Sequence, residues 1–115
     1  MDTIHIRRLR LRTTIGVAAW ERKTQQDIQL DITIHHDQHK AGGSDDIRDT
    51  VDYKAVRDEV VELVEASAFQ LLEALAQAVA ACVLARPGVT AVDVTIDKPL
   101  ALRFADSVAV TIHRP

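Results

Sequence analysis

Two side chains in this sequence have a type and a setting that suit chemistry. The first is Lys98, in the run Asp97-Lys98-Pro99. Val92, Val94 and Ile96 alternate with Asp93, Thr95 and Asp97, which reads as a half-buried strand. Lys98 stands where that strand should end, because Pro99 removes the backbone donor the next ladder bond needs. A lysine held at a strand end beside a carboxylate can aim an ammonium into a cleft. A lysine in that place can equally be a solvated loop side chain, and residue type alone leaves both open. The second is Glu73, between Leu72 and Ala74 near the start of a helical run. A glutamate there is favoured by the helix dipole without any function. Its apolar neighbours nevertheless suggest partly buried surroundings, and a buried carboxylate wants a donor with paired N–H groups. His35, His36 and His39 raise the question of a metal. Adjacent strand residues point to opposite faces, and no carboxylate or cysteine spacing supports a closed site. Surface histidines and no metal are expected.

Several elements must position these groups. Residues 3–17 read as a strand with Arg8, Arg10 and Arg12 on one face and Leu9 and Leu11 on the other. The arginine face suits either plain solvent or the polar interior of a barrel closed by several copies. Gly16 permits a bend into a loop carrying Trp20, Glu21, Arg22 and Lys23. Gln26 to Asp37 alternates Ile28, Leu30, Ile32 and Ile34 with polar residues, the pattern of an antiparallel strand with one buried face. The polar, glycine-containing stretch 38–50 reads as a connecting loop. Asp52 can cap a helix from about Tyr53 to Glu65, with Val56, Val60, Leu63 and Val64 as its apolar stripe. Ser67 and Gln70 have the spacing of a capping box and place the start of a second helix at Ser67. Its apolar face is Leu71, Leu72, Leu75, Val79, Cys82 and Val83, and Pro87-Gly88 stops it. A last strand begins at Ser107.

The order strand, strand, helix, helix, strand, strand implies an α+β domain: a four-stranded antiparallel sheet with two helices on one face. The opposite face and two sheet edges are left open, so closed oligomerisation is expected. At 115 residues the chain is one domain, residues 1–115. A net charge of −3 gives no footprint for nucleic acid, and Trp20, Tyr53, Phe69 and Phe104 are too few for base-stacking platforms. Cys82 is the only cysteine, which excludes a disulfide within the chain, and it is expected in the core. No apolar run suits a membrane span or a signal peptide. A soluble cytoplasmic protein is the expectation.

Thr14-Ile15-Gly16-Val17 with Trp20-Glu21, then Val51-Asp52-Tyr53, Leu71-Leu72-Glu73 and Asp97-Lys98-Pro99, resemble the dihydroneopterin aldolase family. The motifs occur in order across about residues 3–113. The resemblance implies the tunnelling fold, ββααββ, in agreement with the order read above. Leu9 to Thr13, Gln26-Asp27-Ile28 with Thr33-Ile34-His35, and Ala101 to Val108 look like the branch that epimerises dihydroneopterin triphosphate at C2′. Pro99 after Lys98 looks more like the aldolase branch, which releases 6-hydroxymethyl-dihydropterin for folate synthesis.

The resemblance also implies roles. Glu73, with the backbone of Leu72, matches the anchor for the pterin ring. Lys98 matches the catalytic lysine, which needs a depressed pKa to act as a base near neutrality. Glu21 matches a carboxylate near the side-chain hydroxyls, and Tyr53 the acid/base tyrosine. Asp52, beside it, belongs with the substrate-binding residues, while Arg103, Arg22 and Lys23 are candidates to hold a triphosphate. No cofactor is implied, since the C6=N5 imine of the substrate can serve as electron sink. The family's sites lie between subunits, in octamers of two tetrameric rings, with the tyrosine segment supplied by a neighbour. The implied partners are therefore a dihydropterin and further copies of the chain. A pterin-binding protein without catalysis is the reading from another class. It would need the anchor but not the lysine.

Overall fold

The computed structural model describes residues 1–115 and forms one four-stranded antiparallel sheet in the order β1 (Asp2–Thr13), β2 (Gln26–His36), β3 (Ala91–Pro99), β4 (Ser107–Arg114). Three helices follow the same numbering: α1 (His39–Ser44), α2 (Tyr53–Glu65) and α3 (Leu72–Leu84). The alternation of β2 and β3 decides the architecture. Ile28, Leu30, Ile32 and Ile34 of β2, with Val92, Val94 and Ile96 of β3, are fully buried in one cluster. Val56, Val60 and Val64 of α2 and Leu75, Val79 and Val83 of α3 complete that cluster from above. Each such side chain contributes about 1.5–3 kcal/mol on leaving water. The other sheet face carries Asp27, Asp31, His35, Asp93, Thr95, Asp97, Thr111 and His113, and no element of the chain covers it.

β1 departs from the simple alternation. Ile6 pairs with Ile32 and Leu9 with Leu30, so Arg7 and Arg8 together oppose Asp31. Arg8 adopts a left-handed φ of 53°, and its N–H donates to Asp31 Oδ1 at 2.9 Å. This β-bulge lets Ile4 and Ile6, then Leu9 and Leu11, all pack on the core. Arg10 and Arg12 keep the opposite face, while Arg8 belongs to the bulge rather than to their row. The strand ends at Thr13, not at residue 17. The buried Thr13 hydroxyl bonds the Val64 carbonyl at 2.7 Å, and Gly16 N–H donates to Phe69 O at 3.2 Å. Those bonds draw residues 14–17 off the sheet toward the α2–α3 connection.

α2 has the expected limits, with Asp52 Oδ1 accepting from Ala55 N–H at 3.1 Å. Asp52→Ala should lower stability by about 1 kcal/mol in urea titration, and Asp52→Asn should restore most of it. Equal stability in all three proteins would remove the cap from the account. α3 begins at Leu72, later than the capping-box spacing indicates. Ser67 instead closes the end of α2: its hydroxyl donates to Val64 O at 2.7 Å. Leu71 is consequently extended and half exposed rather than part of the helix face.

The stretch 38–50 is not wholly loop, since it folds into α1 and a 3₁₀ turn at Ile47–Asp49. His36 is a buried residue, not a surface one, bonded to the Gln38 amide at 3.0 Å. Cys82 is only partly buried, at the seam where α3 meets Glu59 of α2. Burial there pushes its thiol pKa up.

Candidate active site

The core-facing stripe of β3 continues from Ile96 to Lys98, so the lysine emerges at the end of the core on the helix side. The ladder runs one residue past it, pairing Pro99 with Ser107. A tight loop follows, in which Leu100 (φ 59°) donates its N–H to Asp106 O at 3.0 Å. Asp97, the nearest carboxylate in sequence, faces the other side of the sheet. The carboxylate at Lys98 is that of Glu21: Nζ donates to Glu21 Oε2, and each side chain is 12% exposed.

Glu21 can reach this place because residue 16 is glycine. Gly16 has φ 127°, and a Cβ there would lie 2.2 Å from Glu21 Cδ. Ala18 N–H donates to Oε1 at 3.1 Å, and the Gln26 amide donates to Oε2 at 3.0 Å. The bond from Lys98, then that from Gln26, holds the Glu21 carboxyl down at about 2. Glu21 therefore stays ionised at neutral pH, where it orients Lys98 and accepts hydrogen bonds. A lowered folded-state pKa adds stability above the unfolded value of 4.5, and that stability is lost as pH falls toward about 2. Thermal midpoints measured across this window should fall more steeply for the parent chain than for Glu21→Gln. Parallel curves would refute the coupling.

Arg22 is not free to hold a phosphate. Its guanidinium donates to Gly16 O at 2.9 Å, Phe69 O at 3.1 Å and Ala68 O, fastening the Glu21 turn to the segment before α3. That segment leads directly to Glu73. The carboxylate lies in the first turn of α3 and is exposed in the isolated chain, not buried as its apolar neighbours suggest. No side chain caps the helix at Leu71, so the amides of Leu72 and Glu73 stay open for a ligand. Lys23 is exposed, and so is Arg103, which stacks over Phe104 at 5.0 Å in the β3–β4 loop.

Glu21, Lys98, Leu72 and Glu73 thus gather at one end of the helix layer. Asp52 and Tyr53 do not join them. Glu59 of α2 bonds Arg86 beyond the end of α3, so the two helices are antiparallel and Tyr53 starts at the far end of the layer. A 13-residue helix places that end roughly 20 Å away. Tyr53 is 57% exposed, and its hydroxyl makes no hydrogen bond within the chain. A broad surface cavity of about 680 Å³, lined by Arg10, Arg12, Gln25, Asp27 and Pro99, includes none of the gathered residues. One chain brings these four residues together, and a neighbour must supply Tyr53 if it acts here.

Against known proteins, residues 4–113 match the model of the FolB dihydroneopterin aldolase family. The chain belongs to that family. It is 43% identical over 109 residues to the dihydroneopterin triphosphate 2′-epimerase of Escherichia coli (strain K12), covering 95% of this chain and 91% of that one. To the dihydroneopterin aldolase of the same strain it is 39% identical over 114 residues, covering 99% and 93%. The crystal structure of E. coli dihydroneopterin aldolase in complex with neopterin superposes with a TM-score of 0.95 at 38% identity, over the full length of both chains. The family's fold is the one described above, down to the four-stranded antiparallel sheet with its helices. Gly16 and Gln26 lie in stretches that carry the family resemblance, but no spacing in the sequence joins them or Arg22 to the Glu21–Lys98 pair.

Proposed function

We propose that this chain epimerises 7,8-dihydroneopterin triphosphate at C2′, giving 7,8-dihydromonapterin triphosphate by retro-aldol and aldol steps. The 43% identity to the E. coli epimerase carries the reading, and the Glu21–Lys98 pair beside the open start of α3 is the chemistry that supports it.

In this scheme the Glu73 carboxylate accepts the pterin amino and ring N–H groups as a bidentate pair, next to the Leu72 backbone. Lys98 as the free amine, through a water, takes the proton of the 2′-hydroxyl, and as the resulting ammonium it returns one to N5 of the ring. The O–H electrons form the aldehyde carbonyl, and the C1′–C2′ bonding pair moves into the protonated C6=N5 imine as an enamine. Glu21 accepts from the side-chain hydroxyls and keeps Nζ aimed. Tyr53, from a neighbouring copy, exchanges the proton at the hydroxymethyl carbon. If the aldehyde turns over and re-adds, C2′ is inverted. If the enamine carbon is protonated first, both fragments leave, and from dihydroneopterin these are 6-hydroxymethyl-7,8-dihydropterin and glycolaldehyde. Retention of the aldehyde decides between these outcomes, and a triphosphate held by Arg103 or Lys23 would favour retention.

The distance from Tyr53 to the other anchors supports an assembly of copies. An octamer of two rings is our reading, with the bare sheet face and Arg10 and Arg12 lining the barrel. A second reading, aldolase, is favoured by Pro99 after Lys98 and by the likeness to the neopterin complex. Chromatography of products from dihydroneopterin triphosphate and, separately, dihydroneopterin tests both. Conversion of the triphosphate mainly to its 2′-epimer supports the first. Efficient cleavage of dihydroneopterin to hydroxymethylpterin overturns it in favour of the second.

A further inference from the structure

The bare face of the sheet holds a side-chain cluster with no part in the scheme above. His35 of β2, Asp93 of β3 and His113 of β4 stand on three adjacent strands. Asp93 lies directly across from His113, and His35 lies diagonally across from Asp93. His35 Nε2 sits 2.7 Å from Asp93 Oδ2, and His113 Nδ1 sits 2.5 Å from Asp93 Oδ1. The imidazole rings meet edge to face, with centroids 5.8 Å apart. All three ligand-type atoms lie within 4.8 Å of one another.

The geometry points to a binding site for a divalent transition-metal ion of the zinc type, held by His35 Nε2, Asp93 and His113 Nδ1. Two imidazoles and a carboxylate are the donor set of open zinc sites, which leave a fourth position for water. Tetrahedral coordination needs ligand atoms about 3.3 Å apart, so small side-chain rotations close the set. Its members stand on a paired sheet whose strands are fixed about 4.8 Å apart, so the backbone need not move. No lysine or arginine competes for Asp93: its ion pairs are with His35 and His113 alone. The side chains are 24%, 34% and 60% exposed in that order in the single chain, which leaves an approach from solvent, or from the lumen of the proposed barrel. Binding replaces the two N–H···O contacts by metal bonds and releases any imidazole protons held there.

The site is separate from Lys98. Asp93 precedes it by five residues, roughly 17 Å along the strand, and faces the other side of the sheet. The inference therefore stands or falls independently of the catalytic reading.

Titrating chelator-treated protein with Co²⁺, read by its visible absorption, and with Zn²⁺, read by calorimetry, tests it. One ion per chain is expected for the parent. His113→Ala and His35→Ala should weaken binding by at least roughly 10–100-fold, the loss that even an outer partner of a metal ligand causes. His39→Ala, outside the cluster, should leave it unchanged. His113 is the most exposed member, so its replacement should leave the fold intact by circular dichroism, and Asp93→Asn supplies a further variant. No saturable binding by the parent chain, or binding that survives both histidine substitutions, overturns the site.

Discussion

Lys98→Ala should lower turnover of the dihydroneopterin substrate by about 10²–10⁴-fold, the usual worth of a positioned proton-transfer group. Pterin binding, followed by ligand fluorescence, should change little. The asymmetry follows from where the groups stand. Lys98 comes from the end of β3 and bonds Glu21, whereas the proposed ring anchor is Glu73 with the open amides at the start of α3. Removing the lysine side chain leaves the Glu21 carboxylate with Ala18 N–H and the Gln26 amide, so the turn that carries it should persist. Glu73→Ala should give the opposite pattern, with binding lost at any lysine charge. Unchanged turnover in Lys98→Ala would end the catalytic role of the lysine. Loss of binding and turnover together would mean that Lys98 holds the ring, and the division between anchor and proton carrier would have to be redrawn.

Much of this arrangement is legible in the sequence because it depends on local pattern. The alternation in β2 and β3, the valine stripe of α2 with its Asp52 cap, and Pro87-Gly88 after α3 each reflect a rule that acts over a few residues. Lys98 could be singled out for the same reason. What the pattern hides is set by contacts distant in sequence. The capping-box spacing of Ser67 and Gln70 is real, but Ser67 is drawn to the end of α2 and Thr13, so α3 starts later. The partner of Lys98 lies 77 residues away, and no spacing rule links it to Asp97-Lys98-Pro99. The change of phase from Ile4 and Ile6 to Leu9 and Leu11 does signal a bulge, and reading residues 3–17 as one regular strand passes over it. His35, Asp93 and His113 come together only through the pairing of β2, β3 and β4. The histidines that are neighbours in sequence, His35 and His36, face opposite ways.

Gly16→Ala should damage stability and catalysis together, though it removes no functional group. A Cβ at this residue meets Glu21 Cδ at 2.2 Å and Oε2 at 2.3 Å, both far inside any tolerated contact. The φ of 127° also lies where L side chains are strained. Strain of this kind costs about 1–3 kcal/mol, and the thermal midpoint should drop by about 4 °C for each kcal/mol in a domain of this size. Relief comes most cheaply by moving the Glu21 side chain, which pulls the carboxylate away from Lys98. A displacement near 1 Å at a proton-transfer group can cost about 10²-fold in turnover. The double variant Gly16→Ala/Glu21→Ala separates the two costs. If the carboxylate clash dominates, removing it should return part of the lost stability, while turnover stays low because Lys98 still lacks its partner. If the double variant is less stable than the parent by the sum of the two single losses, the residues act independently. The glycine would then serve backbone conformation alone.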